Sequence, residues 1–158
     1  MIVNKAYRYR LYPTREQKMM FAKTFGCVRF IYNKMLSDRI DYYKETGQKL
    51  NNTPAQYKEE FPWLKEVDSL ALANAQMNLN KAYSHFWNDS QHFGKPRFKS
   101  KKNSRASYST NNQKGSVRIE GHKVKLPKVG WVKLCQHRPL PENSIIKTVT
   151  ISQTPSGK

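Results

Sequence analysis

Carboxylates, histidines and thiols are the side chains that could do chemistry on a substrate, so their spacing comes first. Phosphodiester cleavage by two metal ions needs several Asp or Glu gathered around the ions. The chain has 11 Asp and Glu, and past Asp89 only Glu120 and Glu142 remain. Glu16, Asp38, Asp41, Glu45, Glu59, Glu60 and Glu66 fall at helix starts or on charged faces, where capping and solvation account for them. His85, His92, His122 and His137 are scattered and form no ligand cluster. Cys27 and Cys135 stand alone, without a CxxC or a His pair nearby, so no zinc ribbon or finger can be drawn. Free thiols in a reducing cytoplasm fit them better than a disulfide. No GxSxG, P-loop or GxGxxG motif occurs. The expectation is a chain with no catalytic residues, no metal site and no cofactor.

Positive charge is what the chain supplies in quantity, with 29 Lys and Arg and a net charge of +18. Five cations, Lys95, Arg97, Lys99, Lys101 and Lys102, crowd into the stretch GKPRFKSKK at 94–102. Pro96 locks its own φ and pushes Lys95 toward an extended conformation, so this segment is expected to leave the preceding helix as a stretched cationic strip. The chain reads helical before the strip and β after it. Residues 1–89 hold 14 Lys and Arg against 9 Asp and Glu, and residues 90–158 hold 15 against 2. A polyanionic partner follows from that imbalance.

Composition bounds the rest. With 37% apolar and 12% aromatic residues the chain is too rich in core formers to be a disordered basic tail. No run of about 18 apolar residues exists, and no apolar signal core opens the chain. A compact, basic, cytoplasmic and nucleoid-associated protein without a membrane role is expected.

The elements that must position the cations begin with Val3–Tyr12. Alternation places Lys5, Tyr7, Tyr9 and Leu11 on one side of a strand and Ala6, Arg8, Arg10 and Tyr12 on the other. The first side is mainly aromatic and apolar, with Lys5 at its start, and the other, basic side is either a solvated strand face or a surface whose arginines meet phosphate. Thr14-Arg15-Glu16-Gln17 matches a capping box and starts a helix. Gly26 is expected to interrupt it, giving two helices that end at Gly47 and resemble a helix-turn-helix. Thr53-Pro54 predicts a short helix over 54–60, with Trp63 and Leu64 plugging the core. Asp68 or Ser69 caps a long helix whose stripe is Leu72, Ala75, Leu79, Tyr83 and Phe86. Its other face carries Asn74, Asn78, Asn80 and Lys81, either solvated or reading base edges, since Asn pairs bidentately with adenine.

Residues 107–115 read as a polar, turn-prone segment. SVRIE and KVKL then form a hairpin about Gly121-His122, with Val117 and Ile119 facing the same way as Val124 and Leu126. Short strands are predicted at Trp131–Leu134 and Ile145–Ser152. QTPSGK reads as a closing turn, which suggests a chain cut short.

The ordered motifs KAYRYRLYPT (5–14), FGCVRFIYNKML (25–36), YYKETG (42–47), WLKEVDSLAL (63–72), GKPRFKSKK (94–102), SYSTNNQKGSVRIEG (107–121) and KLPKVGW (125–131) resemble the N-terminal part of the OrfB/TnpB family. Its members are transposon-encoded RNA-guided DNA nucleases, long described as transposases. The resemblance implies an α+β fold in which a helical recognition domain at 13–110 is inserted in a small wedge-like β-barrel made of 1–12 and 115–158. It implies that the RuvC-like nuclease domain and zinc ribbon of the family are absent here. It further implies that Ser69, Leu70 and Ala73, with Tyr108, Thr110, Asn111 and Asn112, contact the short duplex motif beside the target. Lys95, Arg97, Lys99, Lys101, Lys102 and Arg105, with the barrel cations Lys123, Lys125 and Lys128, would hold a guide RNA from the transposon end, or its heteroduplex with target DNA, by its backbone. Two other readings stay open: a stand-alone DNA-binding repressor built on the Gly26 helix pair, and a basic module for acidic proteins or membrane surfaces.

Overall fold

Thr14 starts the first long helix as its sequence demands. In the computed structural model, which describes residues 3–102, 105–154 and 156, its hydroxyl accepts from the Gln17 amide at 3.3 Å while Gln17 Oε1 accepts from the Thr14 amide at 2.9 Å. Helix α1 then runs over Arg15–Thr46. Gly47 ends it in the left-handed region at φ 70°, its amide bonded to the Tyr43 carbonyl at 2.8 Å. The break expected at Gly26 does not occur. The buried positions Phe21, Thr24, Cys27, Ile31 and Met35 keep one phase straight through it, and burial on both sides outweighs the weak helix propensity of one glycine.

Two 3-10 helices, Pro54–Tyr57 and Pro62–Glu66, carry the chain to α2, Ser69–Asn88. Asp68 caps α2, accepting from the Leu70 amide at 3.0 Å. The helical core joins Ile31, Met35 and Leu36 of α1 to Leu64, Val67, Leu72 and Leu79. Leu64 plugs that core as expected, whereas Trp63 is 40% exposed and packs edge-on against Phe30 and Phe61 at its rim.

A polar knot stiffens this core. The Tyr57 hydroxyl donates to Asp38 Oδ2 at 2.7 Å and accepts from Asn52 Nδ2 at 2.7 Å, and Asn52 Oδ1 accepts from Arg39 Nε at 2.6 Å. Burial, and after it the bond to Asp38, pushes the Tyr57 phenol up to about 12. Below pH ~10 the phenol is neutral folded and unfolded, so its full contribution is present there; as pH climbs toward about 12 only the unfolded chain sheds the proton. Melting temperature is therefore expected to fall between pH 10 and 12. Tyr57→Phe should flatten part of that fall while costing about 1–3 kcal/mol at pH 7, because it strands buried polar partners. Calorimetry across the window checks both; an unchanged alkaline slope would assign the fall to other groups.

The β half contains strands β1 (Arg10–Tyr12), β2 (Ala106–Asn111), β3 (Arg118–Glu120), β4 (Lys123–Leu126), β5 (Gly130–Cys135) and β6 (Thr148–Gln153). They form an antiparallel four-stranded sheet of order β1-β5-β4-β3 and an antiparallel pair β2-β6. The α+β class is as expected, but among the described residues the strands do not close into a barrel. The sheets share no ladder and instead share a core of Tyr108, Val117, Val124, Leu126, Val132, Leu134 and Ile151, joined by Phe21 of α1 and Ala71 of α2. Strands β1 and β3, three residues each, are the edges of the four-stranded sheet. Residues 106–111 are strand β2, where a turn-prone segment was expected. Tyr108 and Thr110 point inward at period 2, and that pattern prevails over the polar composition.

The first segment ladders only over 10–12, although Tyr7, Tyr9 and Leu11 are half-buried and Arg8 and Arg10 exposed, as the alternation required. The hairpin about Gly121 holds, with Ile119 opposite Val124. In the closing QTPSGK stretch, Pro155, Gly157 and Lys158 lie outside the described residues.

Candidate nucleic-acid interface

The outer face of the four-stranded sheet follows from its register. Val117, Val124, Val132 and Leu134 point into the core, so the residues between them point out. Directly opposed residues in an antiparallel ladder share a face, which places Lys123 opposite Lys133 and Arg118 opposite Lys125. Arg10 and Tyr12 of β1 extend the face past Cys135 and Lys133. Glu120, opposite Lys123, is its one carboxylate among these strands. Like charges directly opposed in a sheet cost stability, about 0.2–1 kcal/mol a pair. Two exposed rings alternate with the cations: the Arg10 guanidinium lies 5.1 Å from the Tyr12 ring and that of Arg118 5.8 Å from Trp131. Lys128 stands exposed in the β4–β5 turn at φ 68°. Lys5 and Arg8 are exposed ahead of β1.

A second region gathers at the start of α2. Asp68 Oδ2 accepts from the buried Thr110 hydroxyl of β2 while its other oxygen caps α2. Asn74 Nδ2 donates to Leu70 O and to Asn111 Oδ1, both at 2.8 Å, and Asn111 Nδ2 reaches Thr148 Oγ1 at 3.5 Å. Asn112 bonds Ile146 O at 2.8 Å and takes the Val117 amide at 3.1 Å. Ser69 is exposed, and Leu70 and Ala73 are half-buried beside it. Tyr108 and Thr110 are buried, so their side chains position this region from below. Burial, with Asp68 adding to it, pushes the Tyr108 phenol up.

The basic strip is neither helix nor strand over 94–100 and turns at Lys101 and Lys102, with Lys95, Arg97, Lys101 and Lys102 exposed. Asn33 docks it on α1, donating to the Lys99 carbonyl and accepting its amide, each at 2.8 Å. The Lys99 ammonium sits 4.5 Å from the Tyr32 ring. Arg105 Nη2 reaches Ser152 Oγ at 3.4 Å. Sequence reasoning missed Arg118 and Lys133, although the same alternation that placed Val117 and Val132 inside puts both outside.

Residues 1–48 match a helix-turn-helix domain of the OrfB_IS605 type. A Streptomyces pristinaespiralis protein named "Putative RNA-guided DNA endonuclease" is 32% identical over 99% of this chain and 40% of its own length. InsQ of Escherichia coli K12, which carries the same description, is 26% identical over 95% of this chain and 38% of its own. The virulence protein VsdF of Salmonella dublin is 33% identical over 61% of this chain and 93% of its own. The chain belongs to the OrfB/TnpB family. It spans about 40% of the length of the first two relatives. In this OrfB/TnpB chain the matched segment contains β1 and all of α1, which crosses Gly26 without a turn. Among the described residues no group of three or more His, Cys, Asp or Glu is placed to hold a metal ion, and no helix is long and apolar enough to cross a membrane.

Proposed function

We propose that this chain binds nucleic acid, a guide RNA from the transposon end and duplex DNA with a short target-adjacent motif, without cutting either. The observation that carries the reading is the outer sheet face, where Lys123 opposes Lys133 and Arg118 opposes Lys125. A fold that sets like charges side by side gives up stability unless a polyanion neutralises them. The exposed Tyr12 and Trp131 suit the sugar and base faces of a strand held there. In this reading the cations of the strip 94–102 and of 1–12 with 115–158 grip the guide RNA or its heteroduplex by the backbone, and 13–110 presents Ser69, Asn74 and Asn111 to the target-adjacent duplex. The repressor alternative keeps the helix-turn-helix match over residues 1–48, although α1 runs through Gly26 without a turn.

The test is Lys123→Gln with Lys133→Gln. Relief of repulsion should leave the melting temperature equal or higher, while affinity for RNA and duplex DNA falls about tenfold or more, alike for all sequences, because phosphate contacts position without specifying. Plasmid in the same mixtures should stay supercoiled with Mg²⁺ or Mn²⁺ and guide RNA. Unchanged affinity would remove the sheet face from the interface, and nicking by the purified chain would overturn binding without cleavage.

A further inference from the structure

A cleft of about 390 Å³ opens between α1, α2 and β2, and none of its lining residues belongs to the four-stranded sheet. Arg29, Lys99, Lys101 and Arg105 line it, with Asn78 among its uncharged polar groups and no carboxylate. Lys99 is fixed there by the paired bonds to Asn33 and by the Tyr32 ring. Four cations without a counter-charge make a cleft that attracts anions.

Gly26 forms part of the wall. Glycine is the poorest helix former apart from proline, yet α1 neither turns nor ends here. Its φ is not in the left-handed region, and a Cβ built on it meets nothing within 4 Å. Neither backbone conformation nor internal packing requires glycine at this position. Its remaining physical effect is to leave the helix backbone bare toward the cleft, which is how glycine admits a close-lying ligand.

We infer that the cleft seats a stretch of phosphodiester backbone, held by these four cations, whose closest approach to the protein is at Gly26. The volume gives room for about one nucleotide, at the low end of ligand sites. The inference rests on the nucleic-acid reading above and adds to Lys99, Lys101 and Arg105, already read as backbone contacts, the cleft itself, Arg29 and the approach at Gly26, all apart from the sheet face. RNA and DNA share this chemistry, so the probes must tell them apart.

The experiment compares the parent chain with Gly26→Gln, and with Met19→Gln as a control on an exposed position of α1 outside the cleft. Probes are a 30-nucleotide RNA, the same sequence as single-stranded DNA, and as duplex DNA. Glutamine favours the helix and has room, so the melting temperature of Gly26→Gln should rise by about 2 °C. Affinity should fall at least tenfold in one or more arms, and the arm that loses most names the strand the cleft holds. Met19→Gln should change no affinity. Arg29→Gln with Lys101→Gln should weaken the same arm. A Gly26→Gln chain that binds all three probes as tightly as the parent overturns the close approach and leaves the sheet-face reading standing. A parent that binds none overturns both. A Gly26→Gln chain less stable than the parent means the wall has no room and also overturns the inference.

Discussion

Raising salt from about 50 to about 200 mM is expected to weaken binding to duplex DNA by about 500-fold. Five cations share the outer sheet face, Arg10, Arg118, Lys123, Lys125 and Lys133, with Glu120 as the one carboxylate among them. If each neutralises one phosphate and releases its condensed counterion, log K falls with log salt at a slope near −4.5. Lys123→Gln with Lys133→Gln removes two of those contacts, and the slope should relax to about −2.7. Fluorescence anisotropy titrations at four salt concentrations measure both slopes. A flat response in the parent would mean that the charge on this face is not what holds the DNA. A parent slope near −4.5 that survives in the variant would place the phosphates elsewhere, with the strip 94–102 as the next surface to test.

Much of the scaffold was legible because short-range rules decided it. The Thr14–Gln17 capping box, the Gly47 terminus and the inward set Val117, Ile119, Val124 and Leu126 depend on residues a few positions apart. Where reading failed, composition was weighed above periodicity. Gly26 looked like a break, yet Phe21, Thr24, Cys27 and Ile31 hold one helical phase across it. Ser107–Asn111 looked like a turn, yet Tyr108 and Thr110 alternate inward, and the strand that completes the pair, β6, lies about 40 residues on, as in Tyr108 opposite Ile151. Pairing at that separation leaves no local mark. The barrel came from resemblance alone, and among the described residues the four-stranded sheet and the β2-β6 pair share no ladder. At the interface, single cations could be read from the sequence. What local sequence did not show was that Lys123 meets Lys133, because facing depends on the ladder between β4 and β5.

Asp68→Ala is expected to be among the most damaging single substitutions, at about 2–4 kcal/mol. Asp68 and Thr110 are 6% and 0% exposed, and the one carboxylate serves two elements. Oδ1 caps α2 through the Leu70 amide, and losing such a cap costs about 1 kcal/mol. Oδ2 accepts from the Thr110 hydroxyl, and a buried hydroxyl left without a partner costs a further 1–3 kcal/mol or so. Asp68→Asn keeps a capping oxygen but sets an amide hydrogen toward Thr110, so its cost should be smaller. Thr110→Val alone leaves a buried carboxylate oxygen unpaired and should also destabilise. The double variant Asp68→Ala, Thr110→Val removes both ends of the bond, and replacing both partners of a buried hydrogen bond by apolar groups is far cheaper than removing one. Its cost should therefore fall short of the sum of the singles by about 1 kcal/mol or more. Urea unfolding of the four chains measures the coupling. The same bond joins the start of α2 to β2, next to the Asn74–Asn111 pair, so Asp68→Ala should also weaken nucleic-acid binding at temperatures where the chain remains folded. Additive costs in the cycle would show that the carboxylate and the hydroxyl act separately and that packing and the Asn74–Asn111 bond hold α2 to β2.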